Sequence, residues 1–156
     1  MKIELRLIGK TTARYLVEGI ENYSKRLGFY VPFEIVTLPD IKSGKYTESQ
    51  QKELEGTQIL NGIQPGDVLI LLDERGKEMT SRGFAGYIDK KIVAGPKRII
   101  FSVGGPYGFS DVVYARANDK ISLSQMTFSH EMVRLFFVEQ LYRAMTILKG
   151  EPYHHD

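Results

Sequence analysis

The chain has 156 residues, of which 42% are hydrophobic and 26% charged, with a net charge of +2. That size suits one domain around one core, and so small a charge does not by itself mark a nucleic-acid binder, whose basic surface is usually concentrated. The absence of cysteine excludes disulfides and thiolate metal sites.

No apolar run reaches the roughly 18–20 residues that cross a bilayer. The alternating start, Met1 to Arg6, lacks the continuous apolar stretch of a secretory signal. A cytoplasmic protein is the expectation. Lys2 to Ile8 reads as a strand ending at Gly9. Thr11 or Thr12 can cap a helix that carries Tyr15, Leu16, Ile20 and Tyr23 at helical spacing and stops at Gly28. Phe33 to Leu38 is a second strand, closed by Pro39-Asp40. Residues 41–47 are polar and predict a mobile loop, and Glu48 to Leu60 predicts a charged, exposed helix.

After the Pro65-Gly66-Asp67 turn, Val68 to Leu72 is a continuous apolar run of the kind covered on both faces in a parallel sheet. Thr80 or Ser81 caps a helix ending near Gly95-Pro96. Arg98 to Val103 is another apolar strand, Ser110-Asp111 opens a short helix, Lys120 to Leu123 is a last short strand, and His130 to Leu148 is a long helix. Strands alternating with helices predict an α/β fold with a mainly parallel sheet and helices on both faces.

In such sheets ligands sit beyond the carboxyl ends of the strands, which directs attention to Asp73–Lys77, Gly104–Gly108 and Ser124–Ser129. Gly104-Gly105-Pro106-Tyr107-Gly108 lets backbone approach a ligand closely. It is neither a phosphate loop nor G-x-G-x-x-G, and a plain glycine-rich turn explains the spacing equally well. Gly9-Lys10 lacks the first-strand fingerprint that a Rossmann-type nucleotide site or an oxidoreductase needs.

Leu123 to Ser129 carries Leu, Met and Phe but no charge, Gly or Pro, so it predicts a packed loop whose free amides and carbonyls can read an adenine edge. The alternative is a simple connection with Ser129 as helix cap. The last helix is apolar over more than one stripe, which predicts a subunit interface as well as a core. Within it Glu139 and Arg143 stand at i and i+4, spaced to pair. Pro152 and Tyr153 suggest that the tail is docked. His130, His154 and His155 have no carboxylate or cysteine spacing around them, so no metal is expected.

Taken in order, several pieces form a specific set. They are the opening strand ending at Gly9-Lys10, Tyr23-Ser24-Lys25-Arg26-Leu27, Leu72-Asp73 with Gly76-Lys77, Val103-Gly104-Gly105-Pro106, Leu123-Ser124, Met126-Thr127-Phe128-Ser129-His130, Glu139 to Ala144 and Pro152-Tyr153-His154. The set resembles the ribosomal large-subunit methyltransferase H family over essentially the whole chain. These are pseudouridine N3-methyltransferases of the SPOUT (α/β-knot) class. Ser129 departs from the proline that the family often places before the histidine.

The resemblance implies a C-terminal trefoil knot, a homodimer, and methylation of a pseudouridine in the helix 69 loop of 23S rRNA on assembled ribosomes. It implies that Leu72, Gly104, Leu123, Ser124, Gln125, Met126, Thr127 and Phe128 hold S-adenosylmethionine. Arg143, Tyr153 and His154 would then meet the RNA. Arg143 would stabilise charge on the pyrimidine, Glu139 would orient Arg143, and His154 or a water it holds would be the base. The competing class is a non-catalytic ribosome- or RNA-binding module.

Overall fold

The computed structural model describes residues 1–42 and 44–156. Its elements in chain order are β1 (Lys2–Ile8), α1 (Arg14–Leu27), β2 (Phe33–Leu38), α2 (Glu48–Leu60), β3 (Val68–Glu78), α3 (Ser81–Val93), β4 (Arg98–Val103), α4 (Asp111–Arg116), β5 (Asp119–Ser122) and α5 (Met132–Leu148). The strands form one sheet in the order β2-β1-β4-β3-β5, and every paired neighbour runs parallel.

Alternation along the strands sends side chains to two cores. Ile3, Leu5 and Leu7 of β1, with Ile99, Phe101 and Val103 of β4, meet α1, α3 and α5 on one face. Leu69, Leu71 and Ile100 meet Ile59 of α2 and Val113 of α4 on the other. The predicted parallel α/β sheet covered on both faces is what the chain forms.

Several local expectations need correction. Ala13, not Thr11 or Thr12, caps α1, because Thr12 is occupied elsewhere: its backbone N–H and hydroxyl both donate to Glu131 at 2.7 Å. The helix α2 is not wholly exposed, since Gln51, Glu55 and Ile59, at four-residue spacing, turn into the second core. Its last carbonyls, on Ile59 and Asn61, are met at 2.7 Å by the buried guanidinium of Arg6, itself paired with Glu4. The helix expected from His130 starts at Met132, and the last strand is Asp119–Ser122, one residue earlier than predicted. The expected loop at 41–47 is neither helix nor strand where described, and Ser43 lies outside the described residues.

The largest difference concerns Asp73–Lys77. Sequence reading ends the strand at Leu72, whereas β3 continues to Glu78. Both Leu72 and Lys77 pair with Ile121 of β5, so the intervening chain bulges around that residue. Only glycine fits at the closest point: a Cβ on Gly76 would stand 2.6 Å from the backbone N and C of Ile121.

Candidate functional site

The ends of β3, β4 and β5 open into a cavity of about 590 Å³, inside the usual range for a small-molecule site. Leu72, Val103 and Ile121 form its floor. One wall is the turn from Gly104 to Gly108. This turn is closed by an isolated bridge between Gly105 and Gly108, and Gly108 adopts a φ of +80° that favours glycine. The opposite wall is the connection from Leu123 to Phe128, pinned at its base by Ser122, whose hydroxyl donates to the Ser124 carbonyl at 2.8 Å. Ser124 in turn accepts from the Met126 backbone N–H at 3.0 Å.

Leu72, Gly104, Leu123, Ser124, Met126, Thr127 and Phe128 therefore share one cavity. Gln125 does not line it and is exposed. The connection is less packed than its composition suggested, because Gln125, Met126 and Thr127 are exposed. Its inner side borders open space instead of other side chains. Phe128 closes the end of the loop by packing against Phe136 of α5, ring centroids 4.9 Å apart and planes tilted by 44°. Glu131, not Ser129, occupies the cap position of α5, although the Ser129 hydroxyl accepts from the Met132 backbone N–H at 3.1 Å.

Sequence reading pointed to Asp73–Lys77 but missed Glu48, Lys52 and Asp111 in the polar lining. Glu48, Asp73, Glu74 and Asp111 face Lys52 and Arg75, so acidic groups outnumber basic ones. This balance suits a ligand bearing positive charge. Tyr114 donates a hydrogen bond to Asp73, and burial, aided by that bond, pushes its phenol up to about 12. Four-residue spacing of Glu48 and Lys52 on α2 was the available signal, but nothing local says that this face meets the cavity.

A second cluster lies on α5 and the tail. Arg143 donates to Glu139 at 2.5 Å and to Nδ1 of His154 at 3.1 Å, and its guanidinium lies 4.8 Å over the Tyr153 ring. Tyr153 donates to Glu139 at 2.9 Å and sits 3.2 Å from the Tyr23 hydroxyl. Burial, with the Tyr23 and Glu139 hydrogen bonds, raises the Tyr153 pKa well above the ordinary phenol range.

The tail is docked as expected. Tyr30 donates to Glu151 at 2.6 Å, and Arg82 holds Asp156 at 2.8 Å. Glu139, Arg143, Tyr153 and His154 are thus brought together, and none of them lines the cavity. Val133, at the cavity, and Arg143 are separated along α5 by about 15 Å at 1.5 Å per residue. No group of His, Cys, Asp or Glu able to hold a metal occurs among the described residues, and no helix among them is long and apolar enough to cross a membrane.

Against known proteins, a family model described as "Predicted SPOUT methyltransferase" matches residues 1–154. The chain belongs to the SPOUT methyltransferase family. It is 60% identical over 157 residues to a Parabacteroides distasonis protein named ribosomal RNA large subunit methyltransferase H, covering 100% of both chains. The Christiangramia forsetii protein of the same name is 57% identical over 156 residues, with 99% of each chain covered.

A solved structure titled as a probable methylase family protein from Haemophilus influenzae aligns with a TM-score of 0.52 at 13% identity. The alignment covers 95% of this chain and 66% of that one. It supports the SPOUT fold alone. Membership in the methyltransferase H family, expected from the ordered motifs, is borne out by the full-length relatives.

Proposed function

We propose that the chain, acting as one SPOUT domain, transfers a methyl group from S-adenosylmethionine to N3 of a pseudouridine in the helix 69 loop of 23S rRNA. It works as a homodimer on assembled ribosomes, and hence in the cytoplasm. The observation that carries this reading is the cavity at the ends of β3, β4 and β5, walled by glycine backbone and the Leu123–Phe128 connection, in a chain of this family.

The residues fit the donor. The cavity has room for a nucleoside-sized ligand, a glycine turn along one wall that allows close approach, and an excess of carboxylates to face a cation. When bound, the donor supplies an electrophilic methyl on sulfur. Gly104 and the Leu123–Phe128 connection then orient the ligand, and the protein's main task is alignment.

The acceptor nitrogen carries a proton whose loss leaves negative charge shared with the flanking carbonyls. Arg143, held by Glu139, is the cation placed to stabilise that charge, and Tyr153 and His154 complete the surface facing the base. Loss of the proton, formation of the N–CH₃ bond and cleavage of the S–CH₃ bond balance the reaction.

The separation of about 15 Å between cavity and Arg143 supports a dimer in which one copy's Arg143 cluster meets the other copy's donor. Phe136 and Met126, apolar and exposed at the rim between these features, fit such an interface. The test is mass spectrometry of 23S rRNA from cells with and without the gene. An N3-methylated pseudouridine that disappears on deletion supports the reading, and unchanged rRNA rejects it.

A further inference from the structure

Behind the glycine turn that walls the cavity lies a carboxyl group with no role in the chemistry above. Glu55, on α2, is 1% exposed. A Cβ built on Gly105 would stand 2.3 Å from Glu55 Oε2 and 2.4 Å from Oε1, so the carboxyl is pressed against the Gly105 backbone. Gly105 lines the cavity and Glu55 does not, which places the carboxyl one backbone thickness behind the wall.

The Gln51 amide donates to Oε2 at 3.3 Å, while Oε1 is buried without a hydrogen-bond partner. The hydroxyl of Ser110, which packs on the neighbouring Gly56, is equally unpartnered. No Lys or Arg forms a salt bridge to Glu55 among the described residues. The charge acting on it is Asp40, from the connection after β2, while Glu48 and Lys52 of the same helix and Asp111 of α4 line the cavity. Burial pushes the Glu55 pKa up and Asp40 adds to this, against a smaller opposing effect of the Gln51 hydrogen bond. This environment therefore favours the neutral form more than water does.

We propose that Glu55 is a positioning residue of the donor site, which supports the Gly104–Gly105 wall from behind and supplies the counter-charge for a sulfonium on the other side. The inference rests on the donor reading above and deepens it. A cation in the cavity favours the ionised carboxyl, and by linkage the ionised carboxyl tightens binding of the cation. Methyl transfer turns the sulfonium into a neutral thioether. The carboxyl then takes a proton back from solvent, and the product loses the attraction that the donor enjoyed.

The test is calorimetric binding of S-adenosylmethionine and S-adenosylhomocysteine to wild type and Glu55→Gln between about pH 5 and 8. In wild type the preference for donor over product is expected to climb with pH as Glu55 ionises. In the variant it should be about ten-fold lower and flat with pH. Product affinity reports whether the pocket is intact, since the product needs the same walls without the charge. Equal preferences in the two proteins, or a parallel loss of both ligands, would overturn the assignment to Glu55. A wild type that takes up neither ligand would overturn the donor reading itself, and this inference with it.

Discussion

Arg143 donates a hydrogen bond to Nδ1 of His154 at 3.1 Å, and this contact fixes where the imidazole proton resides. A guanidinium has no lone pair to offer, so Nδ1 must be the bare nitrogen and the proton lies on Nε2. There it is donated to Asp156 at 3.0 Å. In this arrangement neither nitrogen is free to take a proton from the substrate. Under the proposed mechanism, His154 would act as a base only once Arg143 has left Nδ1, and the two proposed roles would then be coupled.

Arg143→Ala is therefore expected to slow methyl transfer by about 10²–10³-fold, the usual cost of removing a donor aimed at developing negative charge. Donor affinity should not change, because Arg143 does not line the cavity. Arg143→Lys retains charge but not the fork that holds Glu139 and His154 together, so it should recover only part of the rate. Single-turnover transfer to ribosomes, alongside calorimetry of the donor, separates the terms. A rate loss fully explained by weaker donor binding would remove Arg143 from the chemistry.

Much of this was legible in the chain itself. The apolar runs at Val68–Leu72 and Arg98–Val103 identified buried parallel strands, because such strands need no alternation. The spacing of Glu139 and Arg143 identified an ion pair. What was hidden depended on contacts distant in sequence. Asp73–Lys77 looks like a polar loop, and only the second pairing with Ile121 makes it strand. Glu55 looks like one more solvated charge on a polar helix. Its burial is decided by Gly105, fifty residues later, whose missing side chain leaves room for the carboxyl. The cap of α1 failed for the same reason, since Glu131 competes for Thr12 across the whole fold.

Gly76 gives the bulge in β3 a sharp test. With Ile121 backbone 2.6 Å from any added Cβ, Gly76→Ala cannot be absorbed by moving a side chain. Either β3 or β5 must shift, and both contribute to the cavity floor through Leu72 and Ile121. The expected outcome is a loss of about 1–3 kcal/mol of stability by denaturant titration, in the range of strained backbone and overpacked cores. Donor affinity should fall with it. Gly86, on α3 with nothing within 4 Å of its Cβ position, is the control: Gly86→Ala should cost nothing or stabilise slightly. Equal behaviour of the two variants would mean that the close approach does not constrain the fold.

The acid limb of stability should depend on Asp67. Its buried carboxylate accepts from Arg98 at 2.5 Å and from the Gln64 backbone at 2.8 Å. The Arg98 hydrogen bond is the main cause holding its pKa below the ordinary 3.8. A depressed carboxylate contributes stability that is present above its unfolded pKa and lost as pH falls through the folded one. Asp67→Asn keeps the acceptor for Gln64 but removes the charge, and should cost about 1–2 kcal/mol near neutral pH. The gap from wild type should begin to narrow below the ordinary carboxylate value of about 3.8 and close only once pH has fallen below the depressed folded value. Urea titrations at the two pH values measure it, and a gap that persists in acid would assign the loss to shape instead of charge.

The distance from Val133 to Arg143 sets the final test, of whether the proposed homodimer would share its sites. Arg143→Ala spoils only the charge cluster, and Gly104→Val crowds only the cavity, where a Cβ already meets the Phe109 ring at 3.2 Å. Each variant alone should be inactive as a homodimer. If each site is built within one copy, a heterodimer of the two variants contains no intact site and stays inactive. If Arg143 acts across the interface, the copy with the good cavity faces the copy with the good Arg143. One of the two sites is then whole, and the heterodimer recovers about half of the wild-type rate, as two-fold symmetry requires. Co-expression with two affinity tags isolates that species, and gel filtration confirms that it is a dimer. With Arg143 about 15 Å along α5 from the cavity-lining Val133, recovery is the expected result.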